Sequence, residues 1–173
     1  MFFVDGENLT LRFQAMVEAG SIARQGVRHE TDTYVWANEI AMYSSWYLMR
    51  VSYYTSVFGD DPKIRSINEQ LKKIQYHYHG GSGFINPHVF KKQKRGDKTK
   101  SVDINLVTDL LRHTYNGSVD EVCILSGDGD YLPTIREVMR KGVRVHVGAF
   151  SSGLDSRLRT QCDEFIDLDP IFF

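Results

Sequence analysis

The chain has 173 residues, 42% hydrophobic and 25% charged, enough to bury one core of ordinary size without disulfide or metal staples. Its 21 Lys and Arg against 22 Asp and Glu leave a net charge of -1, which excludes a basic tail-type nucleic-acid binder and an acidic disordered segment. Two cysteines, Cys123 and Cys162, cannot make a disulfide framework. Asp5 and Glu7 interrupt the N-terminus before any signal-peptide core, and no stretch approaches the roughly 18 apolar residues of a membrane span. The expectation is a cytoplasmic protein with no membrane partner.

In chain order, Phe2-Phe3-Val4 reads as a strand running into Asp5-Gly6-Glu7-Asn8, and Leu9, Phe13, Met16 and Val17 recur at helical spacing behind it. Ile40, Met42, Tyr43, Trp46 and Leu48 suggest a helical elaboration within residues 21–46, whose apolar surface could support a homodimer. Val51–Val57 is β-branched and aromatic, hence a strand. Pro62 then opens a helix carrying Ile64, Ile67, Leu71 and Ile74. From Tyr76 the chain has strand character, then the glycine-rich turn 80–83, Pro87 and a basic run; Ser101–Tyr115 is a clear helix. Val119–Leu125 is a buried strand followed by Ser126-Gly127-Asp128-Gly129-Asp130. Pro133 and the Thr134…Glu137 spacing start a helix that Gly142 ends. Val143–Phe150 is the next strand and 153–165 a last helix, with Ser151 and Ser152 as caps and Phe165-Ile166 able to add a short edge strand. Strands alternating with helices predict a single domain over 1–173 of the α/β class: a three-layer α/β/α sandwich with a mainly parallel central sheet.

In such a sheet all strands end on one edge, where ligand sites form. Asp5 ends the first strand, Asp128 and Asp130 follow the strand Val119–Leu125, and Asp103 falls in the first turn of the helix after the basic run. On a helical wheel Val107 and Leu110 lie about 40° and 20° from Asp103 and Leu106 about 60°, so it sits at the centre of the apolar stripe, whereas Asp109, about 120° away, belongs to the outer flank. Each acid has a plainer reading: Asp103 as a solvated first-turn residue favouring the helix dipole, Asp128 and Asp130 as a turn with an N-cap, Asp5-Gly6 as a turn. Together they would raise one another's pKa unless a cation sits among them. Oxygen donors without clustered Cys or His suit Mg²⁺ or Mn²⁺, which can activate water against a phosphodiester. Glu7 could extend the acidic cluster or simply lie on the surface, and the surface is the expectation.

Between residues 91 and 100 lie Lys91, Lys92, Lys94, Arg95, Lys98 and Lys100 against the single Asp97. Such a cluster beside Asp103 rewards contact with a phosphate backbone, and Tyr76, Tyr78, Phe84 and Phe90 offer stacking faces to unpaired bases. The alternative is a solvated loop with its aromatics in the core.

Phe-Val-Asp5-Gly-Glu-Asn8, Lys-Ser-Val-Asp103-Ile-Asn-Leu-Val-Thr-Asp and Leu-Ser126-Gly-Asp128-Gly-Asp130-Tyr-Leu-Pro resemble, in this order, the motifs of the NYN domain family, specifically its LabA/limkain-type branch. Leu158…Cys162-Asp163-Glu-Phe165-Ile is similar to that branch's ending. The resemblance implies a PIN-like, Rossmann-like fold and metal-dependent cleavage of RNA, single-stranded by the same implication. Carried over, Asp5, Asp103, Asp128 and Asp130 would be the metal-binding acids, and Asn8 and Ser126 polar helpers that orient a carboxylate or the attacking water. Two other classes compete: a regulator that binds RNA or a nucleotide without cleaving, and a phosphomonoesterase, for which no Asp-x-Asp-x-Thr/Val follows the first strand.

Overall fold

The computed structural model describes residues 1–43, 47–94 and 100–173. Six parallel strands form the central sheet: β1 (Phe2–Asp5), β4 (Val51–Phe58), β7 (Asn86–Lys92), β8 (Glu121–Leu125), β9 (Arg144–Ala149) and β10 (Glu164–Asp167), in the order β10-β9-β8-β1-β4-β7. The α/β/α expectation holds, and alternation explains its two cores. Phe2 and Val4 of β1, Cys123 and Leu125 of β8 and Tyr53 and Val57 of β4 point to one face, with α1 (Gly6–Glu18) and α2 (Asp61–Lys72). Phe3, Val122, Ile124 and Tyr54 point to the other, with α3 (Lys100–Tyr115) and α4 (Leu132–Arg140).

Residues 21–46 depart from the expected helix. They hold an antiparallel hairpin of β2 (Arg28–Glu30) and β3 (Tyr34–Trp36), then a 3₁₀ turn over Asn38–Tyr43; Trp46 lies outside the described residues. Side chains of β4 decide this. The buried Tyr53 hydroxyl donates to Val35 O and accepts from Val35 N, both at 3.1 Å, and Thr55 Oγ1 donates to Thr33 O at 2.7 Å. Those bonds clasp β3 across the face of β4 and bury Val35 and Trp36 completely.

The segment 153–165 also departs. A short 3₁₀ turn, Ser156–Arg159, is capped by Asp155, and the chain then extends into β10, the edge strand anticipated at Phe165-Ile166. Ser151 N donates to Asp169 Oδ1, at the start of the short α5 (Asp169–Phe172), so Ser151 caps no helix of its own. A second hairpin, β5 (Gln75–Tyr78) with β6 (Gly81–Phe84), lies just before β7 begins, on the edge opposite the acids. Tyr78 there borders a cavity shared with Met1, Val119 and Asp120. Tyr76, Tyr78 and Phe84 are therefore remote from the acids. Phe90 packs against the second core.

Candidate active site

The helix after β1 lies on one face of the sheet and the helix after β8 on the other, although the two strands are neighbours. A crevice opens at such a switch point, and Asp5 and the loop Ser126–Asp128 stand at its mouth. Asp5 ends β1 and caps α1, its Oδ1 accepting from Asn8 N at 3.0 Å. Gly6 must follow it, because a Cβ there would lie 2.9 Å from Tyr54 O and closer still to the Tyr53 ring. Asp5-Gly6 is therefore a strand-to-helix cap and not a turn, and the capping leaves the second carboxylate oxygen for Ser126 and Tyr131.

That oxygen, Oδ2, accepts from Ser126 Oγ at 3.0 Å and lies 3.2 Å from the Tyr131 hydroxyl, which lies 3.0 Å from Asp103 Oδ1. Asn8 Oδ1 accepts from Gly127 N at 3.0 Å, pinning the loop after β8 to α1, and Ser126 Oγ accepts from Asp128 N at 3.2 Å. Asp5, Asn8, Ser126 and Asp103 are therefore brought together, with Asp128 beside them through its backbone. Asp128 Oδ1 caps the 3₁₀ turn Gly129–Tyr131 by accepting from Asp130 N. Asp130 is exposed, and its carboxylate makes no hydrogen bond among the described residues. It lies in the field of Arg157, which pairs with Asp155.

Asp103 does not sit at the centre of its helix stripe. The buried ridge of α3 is Val102, Leu106, Leu110 and Thr114, and Asp103 is exposed on its flank in the first turn, leaning toward Tyr131. Asp109 is half-buried and accepts from the Tyr54 hydroxyl at 3.0 Å, a packing role away from the crevice.

Asp5 is 3% exposed, and its pKa is pushed up to about 7. Burial is the main cause; the Asp103 charge adds to it, while the Asn8 and Ser126 hydrogen bonds oppose it. Burial and the same two acids hold the Tyr131 phenol protonated far beyond neutral pH. A phenol has one proton and touches two carboxylates, so it can donate to only one of them. The second contact is favourable when Asp5 carries a proton of its own, which agrees with its raised pKa.

Tyr131 is the residue that the motif reading missed. The only sequence signal for it was an aromatic directly after Asp128-Gly-Asp130. Glu7 is not the surface residue expected: its side chain is 14% exposed, accepts from the Ser56 hydroxyl and pairs with Lys92 Nζ at 2.8 Å. Lys92 is thus a half-buried member of the sheet edge, and Lys91 is paired with Asp61 at 2.9 Å. Lys94 and Lys100 are exposed; Arg95 and Lys98 lie outside the described residues.

Among the described residues no three Asp, Glu, His or Cys side chains gather closely enough to hold a metal. The donor chemistry still fits Mg²⁺ or Mn²⁺: two carboxylates joined by one hydroxyl, one of them buried at a cost that a cation would offset. Mg²⁺ keeps several waters and needs only one or two protein carboxylates.

A parallel sheet with this strand order between two helical layers is the PIN-like, nuclease-type fold. The chain belongs to the NYN domain family, whose model matches residues 1–169 and which is part of the PIN-like nuclease superfamily. The crystal structure of a protein of unknown function from Vibrio parahaemolyticus is similar, with a TM-score of 0.59 at 17% identity over 99% of this chain and 94% of that one. No curated protein gives a significant match, and no helix among the described residues is long and apolar enough to cross a membrane.

Proposed function

We propose that this chain is a metal-dependent ribonuclease that hydrolyses phosphodiester bonds of single-stranded RNA in the crevice between β1 and β8. The observation that carries the reading is the buried Asp5 carboxylate at the switch point, sharing the Tyr131 hydroxyl with Asp103. Asp5 and Asp103 would hold Mg²⁺ or Mn²⁺, with Asp128 at the rim; when bound, such an ion lowers the pKa of water and offsets charge on a phosphoryl oxygen.

The chain's own residues set the geometry. Ser126 fixes the rotamer of Asp5 by donating to Oδ2, and Tyr131 holds Asp5 and Asp103 at one spacing. Asn8 locks the loop after β8, so the crevice walls do not have to be ordered when substrate arrives. No side chain is asked to act as a covalent nucleophile. Lys94 and Lys100 stand on the segment that leads into Asp103, where they meet the phosphate backbone.

A second reading is a domain that binds RNA or a nucleotide without cleaving it. What favours it is that protein donors already surround Asp5: Asn8 N on one oxygen, Ser126 and Tyr131 on the other. Single-stranded RNA incubated with Mn²⁺ and the protein, beside Asp5→Asn and Asp128→Asn, separates the two. The ribonuclease reading requires products from the wild type that both variants lose. Salt-sensitive binding with no product leaves the binding module.

A further inference from the structure

Next to the acids along the same edge lies a second feature that the motifs do not account for. Beyond its pairing with Asp5, which faces Tyr54, β4 continues to Phe58, four residues farther on and about 13 Å along the strand. There a cavity of about 210 Å³ is lined by Thr31, Asp32 and Thr33 of the β2–β3 turn, Phe58, Lys63 of α2 and Lys92 of β7.

We propose that this cavity is a subsite for one nucleotide of a single-stranded RNA whose scissile bond lies at Asp5, the base stacking on Phe58 and the phosphate held by Lys63 and Lys92. The inference rests on the nucleic-acid reading of the crevice and adds where the strand runs.

Three observations support it. Phe58 is 48% exposed although it ends a strand whose other residues are buried, and the parallel register sets it beside Lys92. An aromatic face next to ammonium groups is the combination that binds unpaired nucleotides: stacking is indifferent to base identity, and the cations take the backbone. Lys63 makes no ion pair among the described residues, and its backbone N is capped by Asp60. Lys92 spends one of three N–H donors on Glu7 and keeps the others. Glu7 stands in the first turn of α1, two residues after Asp5, so its pair with Lys92 links the cavity to the crevice.

The cavity wall is built in advance. Gln14 of α1 accepts from Asp32 N at 2.7 Å and donates to Asp32 Oδ1 at 3.2 Å, holding the turn in which Asp32 has a φ of 57°. Thr33 and Thr55 tie that turn to β4. Asp32 balances part of the lysine charge, which suits one phosphate rather than several. The volume is below the roughly 300–1,000 Å³ that encloses a whole small ligand, so the cavity fits one unit of a longer chain better than a free metabolite.

The test is equilibrium binding of a fluorescent single-stranded RNA octamer to the full chain, without divalent metal so that nothing is cleaved. Phe58→Ala is expected to weaken binding about 5- to 150-fold, the loss of one stacked base, and Phe58→Tyr to restore most of it. Lys63→Ala is expected to flatten the log-log salt dependence by about 0.7, one phosphate contact on a single strand. Phe84→Ala, on the opposite edge, is the control. Because Phe58 is half-exposed its truncation leaves the fold intact, which a thermal melt checks. Wild-type affinity and salt slope in both the Phe58→Ala and Lys63→Ala variants would overturn the subsite, whatever Asp5→Asn does to cleavage. Weakened binding by an RNA that the wild type never cleaves would keep the subsite and remove the ribonuclease reading. No RNA binding at all would remove both.

Discussion

Asp5 and His146 are both buried ionisable groups, at opposite edges of one sheet, and their surroundings differ in sign. His146 of β9 is 6% exposed and stands between Glu121 of β8, 3.6 Å from Nε2, and Glu164 of β10, 3.3 Å from Nδ1. Carboxylates of both neighbouring strands thus face the ring, but neither nitrogen makes a hydrogen bond among the described residues. Asp5 is buried beside another acid and three hydrogen-bond donors, with no cation within ion-pair distance among the described residues. The difference teaches that the crevice edge gathers acids around shared hydrogen bonds, whereas His146 faces its two carboxylates with neither ring nitrogen hydrogen-bonded among the described residues.

That contrast can be broken most directly at Asp5. Asp5→Asn should lower metal-dependent RNA cleavage by about 10³-fold or more, at least as much as the loss of an electrostatic donor elsewhere, measured as initial rates in Mn²⁺. Unchanged rates would make Asp5 a mere helix cap. The same substitution sharpens the comparison through pH. Because the folded pKa of Asp5 is about 7 against an ordinary 3.8, the folded state holds a proton that the unfolded chain has released between those values. Its contribution to stability is therefore fully present below about pH 4 and is lost as pH rises through 7, by an amount of at most roughly 4 kcal/mol. Denaturation in metal-free buffer should show this decline in the wild type, and Asp5→Asn should remove it and gain stability at pH 8.

Tyr131→Phe keeps the ring and removes the shared hydroxyl. Cleavage should fall about 10- to 100-fold, as for lost groups that orient metal ligands, with the fold retained by far-ultraviolet circular dichroism. His146→Ala should do the reverse, costing about 1–3 kcal/mol by chemical denaturation while leaving cleavage intact; a catalytic loss there would erase the distinction between the two edges. The smallest effect is expected at Lys91, whose pair with Asp61 is exposed on both sides. Lys91→Ala should change stability by less than about 1 kcal/mol.

Much of the site was legible before the fold was known, because it depends on where strands end. Asp5, Asn8, Ser126 and Asp128 follow directly from apolar runs that stop at short Gly-rich turns, and local rules suffice to place such residues on one edge of a parallel sheet. Asp103 reads on the wheel as the centre of its stripe, whereas the ridge through Val102, Leu106 and Leu110 leaves it on the flank. Asp130 shows the opposite failure. It stands in the same motif as Asp128, but its exposed carboxylate takes no part in the shared hydrogen bonds and lies in the field of Arg157. Lys92 belongs by sequence to a continuous basic run, and only the register of β7 against β4 buries it beside Glu7.

By itself the sequence determined the α/β class, the parallel sheet, the family and the edge on which the acids lie. Those properties come from periodicity and turn chemistry, which act over a few residues. Tertiary structure alone decided that residues 21–46 hold a hairpin, that a 3₁₀ turn over Ser156–Arg159 replaces the expected last helix, and that Tyr131, Glu7 and Lys92 join the edge. Each of these turns on a contact between residues far apart in the chain, such as Tyr53 with Val35 or Lys92 with Glu7, whose energy no local window contains.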